Sequence, residues 1–232
     1  MKKIALILFV FVSTFANAQN LPERTVQPQI SVTGEGKVTV TPDQAVITIG
    51  VENMGADASE VKKKNDVAID AIIKYLKSMN LPAGDYQTQR VYLNRNYDYT
   101  KKKYNYVASQ IIQITLKDLS KYDALMMGLV DAGANNIQGV QFKTSKLAQY
   151  ESEARAEAIR EAKKKANDYA GALGQTAGKA IFVTDNSVGH YPVPVMQSMR
   201  FEKAESADMP RETLAVGEII VTANVTVHFA LN

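Results

Sequence analysis

The sequence predicts an α+β fold: a mostly antiparallel sheet of about seven strands with long helices packed on it, plus a projecting β-hairpin. Three observations lead there. Apolar residues alternate with polar ones in several separate runs, the pattern of half-buried strands. Three other stretches carry apolar residues at helical spacing. The final run, Gly217 to Leu231, alternates with period two and must return to a sheet built mostly from earlier residues, which argues for one intertwined domain over 30–232.

The chain begins with an address. Lys2 and Lys3 precede an unbroken apolar run from Ile4 to Val12, and Ala16-Asn17-Ala18 forms a small-x-small cleavage site, so residues 1–18 read as a signal peptide. The apolar run is far shorter than the roughly 20 residues that span a bilayer. With no cysteine in the chain, a lipid anchor on a mature N-terminal cysteine is impossible, and no transmembrane anchor is expected after cleavage. Without the first eighteen residues, 25 basic side chains face 24 acidic ones, a balance that argues against a nucleic-acid partner. Residues 19–29 are polar with two prolines and read as a leader arm.

From Ile30 to Val40 a strand pattern contains Gly34 and Gly36, which suggest a bulge or sharp bend. Thr41-Pro42-Asp43 turns the chain into a second strand whose Ala45, Ile47, Ile49 and Val51 share a face. Asp57-x-x-Glu60 resembles a capping box. It opens a helix with Val61, Ala68, Ile72, Leu76 and Met79 on one side, which Asn80 and Pro82-Ala83-Gly84 stop. A long hairpin is expected at about 86–117. Ser120-x-x-Asp123 opens a shorter helix ending at Ala132-Gly133, followed by a strand marked by Ile137, Val140 and Phe142. The longest helix, Ala148 to Leu173, carries Ala154, Ala158, Ala162, Ala166 and Ala170 every four residues, a smooth seam for close packing. Lys163-Lys164-Lys165 reads as its solvated face, and Gly174 suits the left-handed residue that closes it. Ala180 to Val183 begins another strand. About 186–213 has no clear period and reads as a long irregular loop, carrying Met196, Met199 and Met209.

The search for chemistry is mostly negative. Zero cysteines exclude thiol catalysis, zinc-thiolate sites and disulfides, and His190 and His228 each stand alone without partner ligands. No nucleophile elbow, zinc-binding His-Glu-x-x-His or phosphate-binding loop is present. Asp43, Asp85 and Asp118 sit at turns, and nothing in their spacing selects a catalytic pair. No catalytic, cofactor-binding or metal-binding residue is therefore assigned, no cofactor is expected, and the chain reads as no enzyme.

One cluster rises above this background. Six of the eleven tyrosines fall between 86 and 106, interleaved with Arg95 and Lys101-Lys102-Lys103. Tyr97, Tyr99, Lys101, Lys102, Lys103, Tyr104 and Tyr106 form the candidate interaction surface. Cross-strand pairing on an exposed hairpin, a protein contact and glycan stacking are all compatible with them.

Several short motifs recur in a familiar order: Gly34-x-Gly36, then Thr41-Pro42-Asp43-Gln44-Ala45, then Gly84-Asp85-Tyr86-Gln87-Thr88. Asp131-Ala132-Gly133-Ala134-Asn135, Glu153-Ala154-Arg155 and Val216-Gly217-Glu218-Ile219 follow. In that order and spacing the chain resembles the SIMPL-domain family, exported bacterial proteins with a domain of unknown function, across about Ile30 to Asn232. Val216 stands where the family often has proline. The resemblance implies antiparallel strands with long helices, a periplasmic or outer-membrane-associated location, an association with oxidative-stress defence and, in some members, ring-like oligomers. It supplies no catalytic residues. The functional expectation is an exported, non-enzymatic envelope protein that self-assembles into a homo-oligomer or binds an envelope partner, with a link to stress defence. An envelope hydrolase and a small-ligand carrier are the alternatives.

Overall fold

The computed structural model describes residues 27–187, 193–195 and 214–232. Residues 1–18, read above as a signal peptide, most of the leader arm, His190 and most of the long irregular loop with Met196, Met199 and Met209 lie outside the described residues. The fold is α+β, with seven long strands, one short strand and three α-helices among the described residues. In chain order these are β1 (Gln29–Val40), β2 (Gln44–Gly55), α1 (Ala58–Ser78), β3 (Tyr86–Asp98), β4 (Lys103–Leu116), α2 (Tyr122–Asp131), β5 (Asn136–Lys143), α3 (Leu147–Ala172), β6 (Ala177–Asp185), β7 (Val193–Val195) and β8 (Glu218–Leu231).

The strands divide into two antiparallel sheets, a division that alternation alone does not carry. One sheet runs β3-β4-β2-β5, and the other runs β1-β8-β6 with the short β7 also paired to β8. The last strand thus returns to the first, as expected: Gln29 faces Ala230 and Val40 faces Ile219 in unbroken register. Each sheet has its own apolar cluster, and the two share no residue.

In the first cluster, Ala45, Ile47, Ile49 and Val51 of β2 and Ile112, Ile114 and Leu116 of β4 pack under Ile69, Ile72 and Leu76 of α1. Leu125 and Leu129 of α2 complete it. Burying each such branched side chain contributes about 1.5–3 kcal/mol. Asp57 caps α1 by accepting the Glu60 N–H at 2.9 Å. The buried face is Val61, Asn65, Ile69, Ile72 and Leu76, whereas Ala68 and Met79 sit at its margin. Asn65 is buried among apolar residues because its Nδ2 donates to the Val51 carbonyl at 2.9 Å, which ties helix to sheet. The entrance to α2 differs from the Ser120-x-x-Asp123 expectation. Asp118 accepts the Ser120 N–H at 3.1 Å, starting a single 3-10 turn (Leu119–Lys121) that leads into α2.

The second cluster rests on a close approach. Gly34 and Gly36 form neither bulge nor bend, since β1 keeps register with β8 throughout. They share the face of Val32 and Val40 that α3 covers. A Cβ at Gly34 would stand 1.9 Å from the Ala158 carbonyl oxygen, and one at Gly36 1.9 Å from that of Ala154. The alanine ladder is fully buried against this seat, and the buried row Ile219, Val221, Ala223, Val225 and Val227 of β8 lies beside it. Gly174 closes the helix at φ 71°, where a side chain would be strained.

These contacts give the first prediction. Gly34→Ala should cost ~1–3 kcal/mol or more of unfolding free energy, because helix backbone rather than a flexible side chain must move. Ala162→Leu should destabilise in the same way. Gly84→Ala is the control, since a Cβ there meets nothing within 4 Å. Thermal melts of the three variants check this: equal melting temperatures would mean that α3 does not sit on the glycine pair.

Candidate interaction surfaces

The expected hairpin forms from β3 and β4, with Tyr97 directly opposite Tyr104 and Arg95 opposite Tyr106. The third strand, β2, accompanies β4 only as far as the Gly55–Tyr106 pair. Beyond it, residues 96–105 have no strand neighbours but each other. Two strands alone are marginal in water, and here aromatic packing supports them. The Tyr97 ring meets Tyr104 at 4.9 Å and Tyr99 at 5.0 Å, both edge-on, and the Arg95 guanidinium lies 3.6 Å over the Tyr104 ring. Edge-on aromatic pairs and a stacked cation each contribute on the order of 0.5–1.5 kcal/mol.

The turn is equally determined. Asp98 Oδ1 accepts the N–H groups of Thr100 and Lys101 at 2.9 and 3.0 Å, and Lys102 takes φ 49°. Lys101, Lys102 and Lys103 all point to solvent around it. Of the predicted surface residues, Tyr97, Tyr99 and Tyr104 therefore come together with the three lysines at the tip. Tyr106 sits half-buried at the base. Tyr99 remains 85% exposed despite its ring contact, so the cluster presents aromatic area outward.

The carboxylates singled out in the sequence do not converge. Asp43 accepts the Ser145 N–H at 2.7 Å and its hydroxyl at 2.5 Å, pinning together the two segments that pass between the sheets. Asp85 pairs with Lys117 at 2.6 Å, and Asp118 caps the turn before α2. His228 is half-buried with its ring 5.4 Å from Phe182. Among the described residues no three His, Asp or Glu side chains form a group able to hold a metal ion. No helix among them is long and apolar enough to cross a membrane.

The edges of the β1-β8-β6 sheet are treated unequally. At β1, Glu161 of α3 accepts the Glu35 N–H, and Lys165 Nζ donates to the Thr33 carbonyl at 3.0 Å while pairing with Glu161 at 3.0 Å. Lys165 thus seals an edge and does not belong to a solvated face. At β6, Ile181, Phe182 and Val183 are 44%, 57% and 52% exposed, and no strand among the described residues pairs with their outer side. Beside them runs an open groove of about 520 Å³, lined by Ile159 and Lys163 of α3 together with Lys179, Ala180, Val183 and Phe229.

Comparison with known proteins fits this architecture. The family model SIMPL, "Protein of unknown function (DUF541)", matches residues 30–229. The chain belongs to the SIMPL family. Among relatives of this SIMPL chain, the Escherichia coli K12 protein named "Uncharacterized protein YggE" is 28% identical over 207 residues, covering 88% of this chain and 83% of the relative. The Edwardsiella ictaluri protein of the same name is 27% identical, covering 88% and 87%. The Brucella melitensis "26 kDa periplasmic immunogenic protein" is 24% identical over 218 residues, covering 90% and 87%. None of these names states a reaction.

Sequence reasoning missed the open β6 edge of this SIMPL fold. Ile181-Phe182-Val183 has the look of a strand buried on both faces, and only the tertiary arrangement shows it wet. The available signal was the following Thr184-Asp185 and the preceding Lys179, which bracket the apolar run with charge.

The sealed β1 edge yields a pH prediction. The Glu35 N–H, followed by the Lys165 ammonium, holds the Glu161 carboxyl below the usual carboxylate range. A carboxyl depressed in the folded state stabilises the fold above its unfolded pKa, and that share is lost as pH falls through the folded value. Glu161→Gln should therefore lower the melting temperature near neutral pH, with the gap to the parent closing in acid. A gap that stays constant with pH would remove the carboxylate from the edge's stability.

Proposed function

We propose that this SIMPL protein is an exported, non-enzymatic envelope protein that works by contact, assembling with copies of itself or docking on an envelope partner through the tip of the β3–β4 hairpin. The single observation that carries this reading is the tip itself. It extends past the last residue that β2 accompanies, and it holds a preassembled set of Tyr97, Tyr99 and Tyr104 with Arg95 over one ring. Tyrosine offers large amphipathic contact area with few rotatable bonds, and arginine adds bidentate hydrogen bonding at the rim. Ordering the tip before contact removes part of the entropic cost of binding.

A periplasmic or outer-membrane-associated location is supported by the basic, apolar, small-residue order of residues 1–18 and by the name of the Brucella relative. Asp43, Asp85 and Asp118 are each engaged in a separate structural contact, so these three do not form the carboxylate pair a hydrolase would use. The link to stress defence rests on the family resemblance; the exposed thioethers of Met54 and Met127 could consume oxidant only stoichiometrically, without a reductase to restore them.

The reading is tested by changing Tyr97, Tyr99 and Tyr104 together to Ser, and in a second variant Tyr106 as well. Circular dichroism should show the strand and helix content kept, while light scattering should report a smaller assembly than the parent. A parent that is monomeric and captures no envelope protein through this tip, or variants with the parent's mass and the parent's capture, would remove the hairpin from the function.

A further inference from the structure

The positive charge of the chain is gathered on the hairpin tip. Residues 95–106 hold four cations, Arg95, Lys101, Lys102 and Lys103, against one carboxylate, Asp98, a net charge of +3. Outside them, the chain after Ala18 carries 21 basic side chains and 23 acidic ones, a net charge of −2. The tip is thus the positive pole of a weakly acidic body, a separation that the overall composition hides. Asp98 is committed to the turn, where its carboxylate accepts the N–H groups of Thr100 and Lys101. Lys101 Nζ lies 3.9 Å from that carboxylate, while Lys102 and Lys103 have no ion pair among the described residues. Tyr99 and Tyr104 stand beside these charges 85% and 55% exposed. Between 94 and 106 there is no Leu, Ile, Val, Met or Phe.

We infer that the tip docks on the headgroup layer of an anionic phospholipid bilayer, with the lysines against lipid phosphates and the tyrosines among the headgroups. The inference rests on the contact reading given above and deepens it by naming the partner's chemistry. Two strands without neighbours offer no concavity to enclose a small anion, so the complement of this tip is a surface. Compact ammonium charges on flexible stems suit a fluid array of phosphates. A fixed pattern of carboxylates is read better by arginine forks, of which the tip has one. Two tips of like charge repel each other, and the acidic remainder of the chain is repelled by the same anionic surface that attracts the tip.

The dimensions agree. β2 leaves the hairpin at Tyr106, and the strands rise ~3.3 Å per residue, so the turn stands about 10–15 Å beyond the sheet. Interfacial segments settle about 5–10 Å into the headgroup boundary, a depth the tip reaches before the body of the domain touches the surface. Tyrosine is the residue of that boundary, with an apolar ring and a polar hydroxyl. The Tyr97, Tyr99 and Tyr104 rings are packed edge-on, so the aromatic group arrives already ordered. With no aliphatic side chain to enter hydrocarbon, the contact stays at headgroup level and is reversed by salt.

Vesicle sedimentation of the full mature protein tests this. The protein should pellet with mixed phosphatidylethanolamine–phosphatidylglycerol vesicles and not with phosphatidylcholine vesicles. About 1 M salt, where the Debye length is about 3 Å, should release it. Lys101→Gln, Lys102→Gln and Lys103→Gln combined should weaken binding roughly fivefold per charge, on the order of a hundredfold in all. Lys63→Gln, Lys64→Gln and Lys164→Gln combined remove the same charge from exposed helix positions and should bind as the parent does. The chain has no tryptophan, so Tyr99→Trp supplies a lone reporter whose emission should shift to the blue on the anionic vesicles alone. A parent that ignores the anionic vesicles, equal binding to phosphatidylcholine, or a tip lysine variant that binds like the parent overturns the proposal. So does displacement by millimolar inorganic phosphate, which would locate an anion site in place of a surface. If vesicles are ignored while the tyrosine variants still lose assembly mass or a captured protein, the lipid surface falls and the contact reading stands. If vesicle binding, mass and capture are all independent of the tip, both fall.

Discussion

The seat of α3 on the glycine pair of β1 is the constraint from which much of the second sheet follows. With Gly34 and Gly36 below and Ala154, Ala158 and Ala162 above, no side chain separates helix backbone from strand backbone. Dispersion between close-packed backbones replaces the interlocking of larger side chains that holds the other sheet. The register of α3 along β1 is then set to within one helical turn, because only glycine accepts a carbonyl at that distance. The same approach brings Glu161 and Lys165 near enough to bond the outer edge of β1. A larger residue at either glycine would lift the helix and release those two bonds together.

The two sheets make different use of the same composition. The β3-β4-β2-β5 sheet buries branched side chains under two helices and lets one hairpin run on past its neighbours, carrying aromatic and basic residues away from the core. The β1-β8-β6 sheet has one helix, whose side chains seal one edge and leave the other apolar. Both outward features depend on a rigid interior: the tip is ordered by ring packing and the Asp98 turn, the open edge by its pairing with the well-buried β8.

Much of this was legible in the sequence. Period-two runs located the strands, the alanine ladder and the Asp57 cap located two helices, and the return of the last strand was required by its alternation. Gly34 and Gly36 were misread because glycine in a strand has two physical meanings, a bend or a close neighbour. The pattern Val32, Gly34, Gly36, Val38, Val40 preserves its period through both, which is the mark of the second meaning. Its partner seam lies more than a hundred residues away, and no local signal joins them. Likewise Asn65 at a buried helical position, Lys165 on a sealed edge and Ile181 on an open one are consequences of tertiary neighbours, not of spacing. The tyrosine cluster was visible as composition, while its internal packing, and the retreat of Tyr106 to the base, needed the register of β3 on β4.

The path of the chain through the sheets carries a consequence for how the protein comes into being. Every residue of the first apolar cluster lies between Ala45 and Phe142, one continuous stretch that holds its whole core when synthesised. The second cluster draws on β1, on α3 more than a hundred residues later and on β8 last, and β8 is the middle strand of its sheet. Polypeptide emerging from its N-terminus can therefore complete one half early, while β1 waits with an unpaired ladder until the fourteen residues of β8 arrive. Loss of β8 would remove not a border but the centre of that half, since both β1 and β6 pair with it.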